Sequence, residues 1–179
     1  MTALSIFSHH APNAIYHDLD GYHADFYGRA AQILGKPYKE TPPAEAWAVL
    51  DQVPHLFRDL EPLEDGQKVW RALHGCKLHQ EVLTAVPWPT GRLTTAEDDK
   101  RAWASQHLSS TLPVITVASG SAKALYAAPG RVLIDDLPRN IHAWVAAGGI
   151  GVVHVNADDT LEQLARLGIR LNDSHTRTA

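Results

Sequence analysis

The feature that most constrains this chain is a layout repeated along it, in which a short apolar run ends in polar or acidic residues and a segment of helical spacing follows. Ala14-Ile15-Tyr16-His17 runs into Asp18-Leu19-Asp20-Gly21, and Val82-Leu83 ends in Thr84. Val114-Ile115-Thr116-Val117 precedes a loop holding Lys123, and Val132-Leu133-Ile134 terminates in Asp135-Asp136. A continuous apolar run of this kind reads as a strand buried on both faces. Strands alternating with helices imply a parallel sheet with helices on both sides. The expected fold class is α/β, a three-layer Rossmann-like parallel sheet. All strand ends of such a sheet share one edge, so Asp18, Asp20, Thr84, Lys123, Asp135 and Asp136 can converge in a single crevice.

Between the strands the sequence predicts a helix over Phe26–Leu34 stopped by Gly35, a loop from Lys36 to Pro43, and a helix over Ala44–Leu50 carrying Trp47 and broken by Pro54. Together with His55 to Pro62 this forms a small, mostly helical insertion after the first strand, spanning approximately residues 27–65. Asp65-Gly66 leads into a helix over Gln67–Leu73. Further helices are expected over Asp98–Leu108, with Trp103 and Leu108 inward, over Ile141–Ala147, and over Leu161–Leu167 with Asp158 or Asp159 as its cap. Ile150–Val155 is the last strand. Residues Met1 to Asn13 read as a tail or edge segment with His9-His10 solvated, and residues 1–179 as one domain without internal repeats.

Composition narrows the partners. The formal net charge is −4 and no Lys/Arg cluster interrupts the chain, so polymeric nucleic acid and anionic membrane are not expected partners. No apolar run approaches the roughly 20 residues that span a bilayer, and the start lacks the pattern of a leader. The single cysteine, Cys76, rules out an internal disulfide and suits a reducing compartment. The expected location is the cytoplasm. Oligomeric state leaves no mark on the sequence, and a homodimer stays open.

The crevice residues have a chemical logic. Carboxylates from two strands supply hard oxygen ligands for Mg²⁺, and four crowded acids without a cation would repel one another. Either Asp18 or Asp20 is placed to attack a phosphorus centre. Thr84 and the backbone N–H groups after it, beginning at Ala85, can hold phosphate oxygens, and Lys123 brings a positive charge to the phosphoryl group. His17-Asp18 also reads as the dyad of metal-dependent HD phosphohydrolases, with His9, His10 or His23 as further ligands, but that fold needs helices where this chain has a strand. His74, Cys76 and His79 suggest zinc yet lack a fourth ligand at the usual spacing, and read as solvated loop residues.

This set resembles the haloacid dehalogenase (HAD) superfamily of phosphotransferases, and within it the 5′(3′)-deoxyribonucleotidase branch with its phage and bacterial relatives. The residues that carry the resemblance are Asp18-Leu19-Asp20-Gly21 with Ala24-Asp25-Phe26, Phe57-Arg58-Asp59-Leu60-Glu61-Pro62, Leu83-Thr84, Lys100 with Trp103 and His107, Lys123, and Leu133-Ile134-Asp135-Asp136. The resemblance implies a Mg²⁺-dependent phosphomonoesterase acting on nucleoside monophosphates. Asp18 would be the nucleophile that forms an aspartyl-phosphate, and Asp20 the acid/base, its main-chain carbonyl binding the metal. Asp136 and Asp135 would complete the metal site, with Thr84, Ala85 and Lys123 on the phosphate. An aromatic residue over the base matches Phe26, and Trp47 and Trp88 are further candidates. Tyr22-His23 departs from the branch by placing two bulky polar side chains beside the catalytic loop, where they bear on substrate choice. Two other readings are a HAD phosphatase for a different small phosphomonoester and a non-catalytic nucleotide-binding protein of this fold.

Overall fold

The computed structural model describes residues 10–87 and 93–172; His9 and Trp88 lie outside the described residues. Five strands, β1 (Ala14–His17), β2 (His79–Ala85), β3 (Val114–Val117), β4 (Arg131–Asp135) and β5 (Ile150–Val153), form one sheet in the order β3-β2-β1-β4-β5. All four pairings are parallel. The expected α/β class holds, and its reason is visible in β1. All four of its residues are buried, as a strand flanked by β2 and β4 and covered on both faces must be.

Alternate residues of the strands feed different cores. Ile15, Val132, Ile134 and Val152 pack with Val69 and Leu73 of α3 (Glu64–Leu73) and with Ala157 and Leu164 of α6 (Ala157–Arg166). Tyr16, Leu83, Val117 and Leu133 face the other way, against Ile141 and Trp144 of α5 (Pro138–Ala146). A third cluster joins the insertion to the sheet. Phe26 and Ala30 of α1 (Phe26–Leu34), Ala46 and Leu50 of α2 (Pro43–Leu50), and Leu56, Phe57 and Leu60 pack on Val82 and on Trp103 and Ala104 of α4 (Ala96–His107). No helix among the described residues is long and apolar enough to cross a membrane.

Several boundaries differ from expectation, each for a local reason. The loop expected from Lys36 to Pro43 contains a 3₁₀ turn at Tyr38–Glu40, and Pro43 opens α2, where a missing N–H costs no hydrogen bond. α3 starts three residues early, with Asp65 and Gly66 inside its first turn. A Cβ at Gly66 would lie 2.1 Å from the Tyr22 carbonyl oxygen, so the glycine is what lets α3 lie directly on the loop after β1. β2 begins at His79, because the polar stretch His79-Gln80-Glu81 pairs with Ala14, Ile15 and Tyr16; His79 is therefore a strand residue and not a loop residue. β5 ends at Val153, before the expected Val155. α6 is capped by Asn156, whose side chain accepts the Asp159 N–H at 2.9 Å, while Asp158 and Asp159 occupy the first turn.

Candidate active site

β1 delivers its carboxylates by stopping. The Asp18 N–H donates to the Ile134 carbonyl at 2.9 Å, which holds the ends of β1 and β4 level, and Leu19 then turns into the core between Asp18 and Asp20. Gly21 takes φ +77°, where a Cβ would meet the Tyr27 ring at 2.5 Å and the Asp136 carboxylate at 2.7 Å. Only glycine fits a turn this tight with those neighbours.

Two buried lysines divide the carboxylates between them. Lys123, on a 3₁₀ turn at Ser121–Tyr126, reaches Asp18 and Asp135, each at 2.6 Å. Burial works to lower its pKa, and the two carboxylates outweigh it, so the Lys123 pKa is raised and the ammonium stays charged. Lys100 of α4 donates to Asp20 Oδ2 at 2.5 Å and to Thr84 Oγ1 at 3.0 Å. Burial pushes the Asp20 carboxyl above its ordinary range, against the pull of Lys100. Asp20 Oδ1 is buried and has no hydrogen-bond partner among the described residues, and because Thr84 accepts from Lys100, its own proton can go to another acceptor. Lys100 appears in the sequence as part of a motif, but nothing in the chain order links it to Asp20, eighty residues away.

The remaining acids differ in what already holds them. Asp135 is fully buried and accepts from Lys123, from the Leu137 N–H at 2.9 Å and from Asn140 Nδ2 at 3.0 Å on both oxygens. Asp136 lies beside Tyr27, and its Oδ1 is buried without a hydrogen-bond partner among the described residues. Burial first, and the Asp18 charge next, push Asp136 up to about 7 and Asp135 to about 6. Carboxylate oxygens of Asp18, Asp135 and Asp136 lie within 4.8 Å of one another. An orphaned buried oxygen and a hard, oxygen-only donor set fit a divalent cation such as Mg²⁺. His74, Cys76 and His79 form no such cluster, and this group of three aspartates is the metal-sized one among the described residues.

A cavity of about 220 Å³ opens over Asp18, Asp20, Thr84, Ala85 and Lys123. Its far wall is aromatic and comes from the insertion: Phe26, Tyr38, Trp47 and Phe57. Phe26 stacks on Phe57 at 5.7 Å and 14°, and on Trp47 at 6.1 Å and 20°. Phe57 and Tyr38 were not singled out as wall residues from sequence, because apolar spacing in a short insertion does not separate core from cavity wall.

Tyr22 and His23 do not line that cavity. Both are fully buried, on the side of the loop that faces α3. His23 Nε2 and the Tyr22 hydroxyl each lie 3.4 Å from His17 Nδ1, and Trp70 and His154 complete the cluster. Gly66, whose missing Cβ lets α3 close on the Tyr22–His23 backbone, is what allows the helix to cover them.

A fold of this topology with paired aspartates at the end of its central strand defines the HAD class of hydrolases. The model of the family described as "5′ nucleotidase, deoxy (Pyrimidine), cytosolic type C protein" matches residues 46–160, and the chain belongs to that family. It is a phosphoric monoester hydrolase of the 5′-nucleotidase type. Among solved structures, a HAD-superfamily hydrolase of subfamily IA from Geobacter sulfurreducens is 16% identical with a TM-score of 0.53, over 88% of this chain and 98% of that one. A HAD family hydrolase from Deinococcus radiodurans R1, solved with bound phosphate and sodium, is 16% identical with a TM-score of 0.52, over 89% and 90%. At these identities the two structures establish the fold. No curated protein matches the chain.

Proposed function

We propose that this protein is a Mg²⁺-dependent, cytoplasmic phosphomonoesterase that releases phosphate from nucleoside monophosphates through an aspartyl-phosphate on Asp18. The observation that carries the reading is one cavity bounded on one side by Asp18, Asp20, Thr84 and Lys123 and on the other by stacked aromatic rings. A phosphate and a base on one small molecule match those two sides.

In the first half-reaction an Asp18 oxygen attacks phosphorus, the bond from phosphorus to the leaving oxygen breaks, and Asp20 gives that oxygen its proton. In the second, water attacks the phosphorus, the bond to Asp18 breaks, and Asp20 takes the water's proton back. The elevated Asp20 pKa and the unpartnered Oδ1 suit a group that must hold and then return a proton. Lys123 and the Thr84 hydroxyl hold phosphoryl oxygens. Asp18, the Asp20 main-chain carbonyl and Asp136 would hold the cation, with Asp135 anchoring Lys123 beside it; when bound, the cation offsets charge on the phosphoryl oxygens. Phe26, Trp47 and Phe57 take the base.

The test is a phosphate-release assay on nucleoside monophosphates and sugar phosphates, with Mg²⁺ and with excess chelator. Selective release from nucleotides that stops in chelator is expected. A preference for sugar phosphates would make the protein a phosphatase for another small phosphomonoester, and undiminished turnover in chelator would overturn the metal assignment.

A further inference from the structure

Asp99, the α4 residue just before Lys100, is fully buried and plays no part in the chemistry above. Its Oδ1 accepts from His55 Nδ1 at 2.9 Å and from Arg58 Nη2 at 3.0 Å, and its Oδ2 from the Thr95 hydroxyl at 2.9 Å. A buried carboxylate is costly to keep unless charge and hydrogen bonds compensate it. Here the compensation comes from the insertion, through side chains that stand about half in solvent, 45% exposed for His55 and 44% for Arg58. His55 is also the one non-glycine residue at positive φ (53°) among the described residues. Such a backbone persists where surrounding contacts over-determine it.

Between these two donors sits Phe57, 1% exposed and part of the cavity wall. Its ring stacks on Phe26, and the Lys100 ammonium lies 4.5 Å from its centroid. One helical turn beyond Asp99, Trp103 Nε1 donates to the Leu60 carbonyl at 2.7 Å. Residues 55–60 are therefore fastened to α4 at two points, and the same helix holds Asp20 and Thr84 through Lys100.

We propose that Asp99 is a positioning residue for substrate binding: through His55 and Arg58 it holds the 55–60 turn so that Phe57 stands at a fixed distance from the reacting groups. This rests on the nucleotide reading of the cavity. It gives the insertion a defined seat, and it separates recognition of the aromatic part of the substrate from the phosphoryl chemistry.

The experiment compares Asp99→Asn with Asp98→Asn, an exposed neighbour on the same helix, using a nucleoside monophosphate and ribose 5-phosphate, which carries no aromatic ring. Asp99→Asn should raise KM for the nucleotide about tenfold, the scale of one lost stacking contact, with kcat held and ribose 5-phosphate kinetics within about twofold of wild type. Asp98→Asn should match wild type throughout. Amide exchange should speed up across residues 55–60 and stay slow in β1 and β4. Adding Phe57→Ala to Asp99→Asn should cost little more than either alone, because both remove the same contact. If Asp99→Asn does not fold, Arg58→Gln loosens the same seat from the solvent side and should show the same split. Faster exchange with an unchanged nucleotide KM would overturn the proposal, as would an equal fall in kcat on both substrates, which would mean that Asp99 acts through Lys100. If the wild-type enzyme ignores nucleotides, the nucleotide reading alone fails, and the split is read instead with 4-nitrophenyl phosphate against ribose 5-phosphate.

Discussion

Two groups of buried ionisable side chains lie on opposite sides of the loop after β1, and they solve burial in opposite ways. In the crevice, four carboxyl groups (Asp18, Asp20, Asp135, Asp136) meet two ammonium groups (Lys100, Lys123), an excess of acids that a divalent cation would offset. Behind the loop, no acid among the described residues is hydrogen-bonded to His17, His23 or His154. His17 Nε2 pairs with Gln80 Oε1 at 3.1 Å, and His154 Nδ1 with the Thr160 hydroxyl at 2.8 Å. Burial holds all three below the usual histidine pKa, His17 at about 4. One group pairs Asp18, Asp20 and Asp135 with lysines; the other gives its charges up. The first is what chemistry on a phosphate needs, and the second is a packed wall that fixes where the first one stands.

The sharpest way to break this comparison is to exchange the expected consequences. Asp18→Asn should remove turnover by at least ~10⁴-fold, the scale seen when a covalent nucleophile is lost, while leaving the unfolding midpoint close to wild type. Finding phosphate on another residue, or near-normal rates, would show that the crevice has been misread. Asp20→Asn comes next. General acid–base help of roughly 10²–10⁴-fold should disappear, and with an activated leaving group the phospho-enzyme should accumulate, detectable by acid quench and mass spectrometry. No accumulation would mean that another group activates the water.

The histidine side predicts a stability effect in place of a kinetic one. The unfolded chain binds a proton on His17 near pH 6.5, and the folded protein only near pH 4. The stabilisation from a neutral His17 is therefore complete above pH 6.5 and falls as the pH drops toward 4, by about 3 kcal/mol. Denaturant titrations between pH 7.5 and 4.5 should lose less stability in His17→Gln than in wild type. The comparison of variants matters because Asp135 and Asp136, with raised pKa values, work in the opposite sense in metal-free protein. Equal slopes in the two proteins would remove the histidines from the account. The smallest effect is expected on the aromatic wall: Phe26→Ala should weaken nucleotide binding by about 1–3 kcal/mol and leave ribose 5-phosphate kinetics little changed. Parallel losses on both substrates would assign Phe26 to packing.

Much of this was legible in the chain because strand ends in a parallel sheet announce themselves. Val132-Leu133-Ile134 followed by two aspartates has few other readings, and Asp18-Leu19-Asp20-Gly21 after an apolar run has the same form. Helix α1 was legible to the residue from Gly35. What the sequence withheld were relations across distance. Lys100 was marked by its motif but not linked to Asp20, and in the polar stretch Glu97 to Arg101 nothing tells the buried Asp99 from its exposed neighbours. The side of the loop that Tyr22 and His23 take was not legible, because it depends on what packs behind the turn, and α3 meets their backbone at a glycine more than forty residues later. Phe57 is a wall residue only because α4 holds it there.

The sheet order has a consequence for how the molecule is made. β1 is its central strand, yet the Asp18 N–H finds its acceptor on Ile134, and β1 is not flanked on both edges until β4 arrives. The entropic cost of closing so long a segment grows only slowly with length, but non-local parallel pairing delays folding. As the polypeptide leaves the ribosome, β1 and β2 can pair while one edge of the central strand waits for the chain from β2, which ends at Ala85, to reach the end of β4 at Asp135. An open edge on an apolar strand invites pairing with another chain. Catalytic competence is thus acquired late in synthesis, when β4 closes that edge and brings Asp135 and Asp136 to Asp18 in the same event.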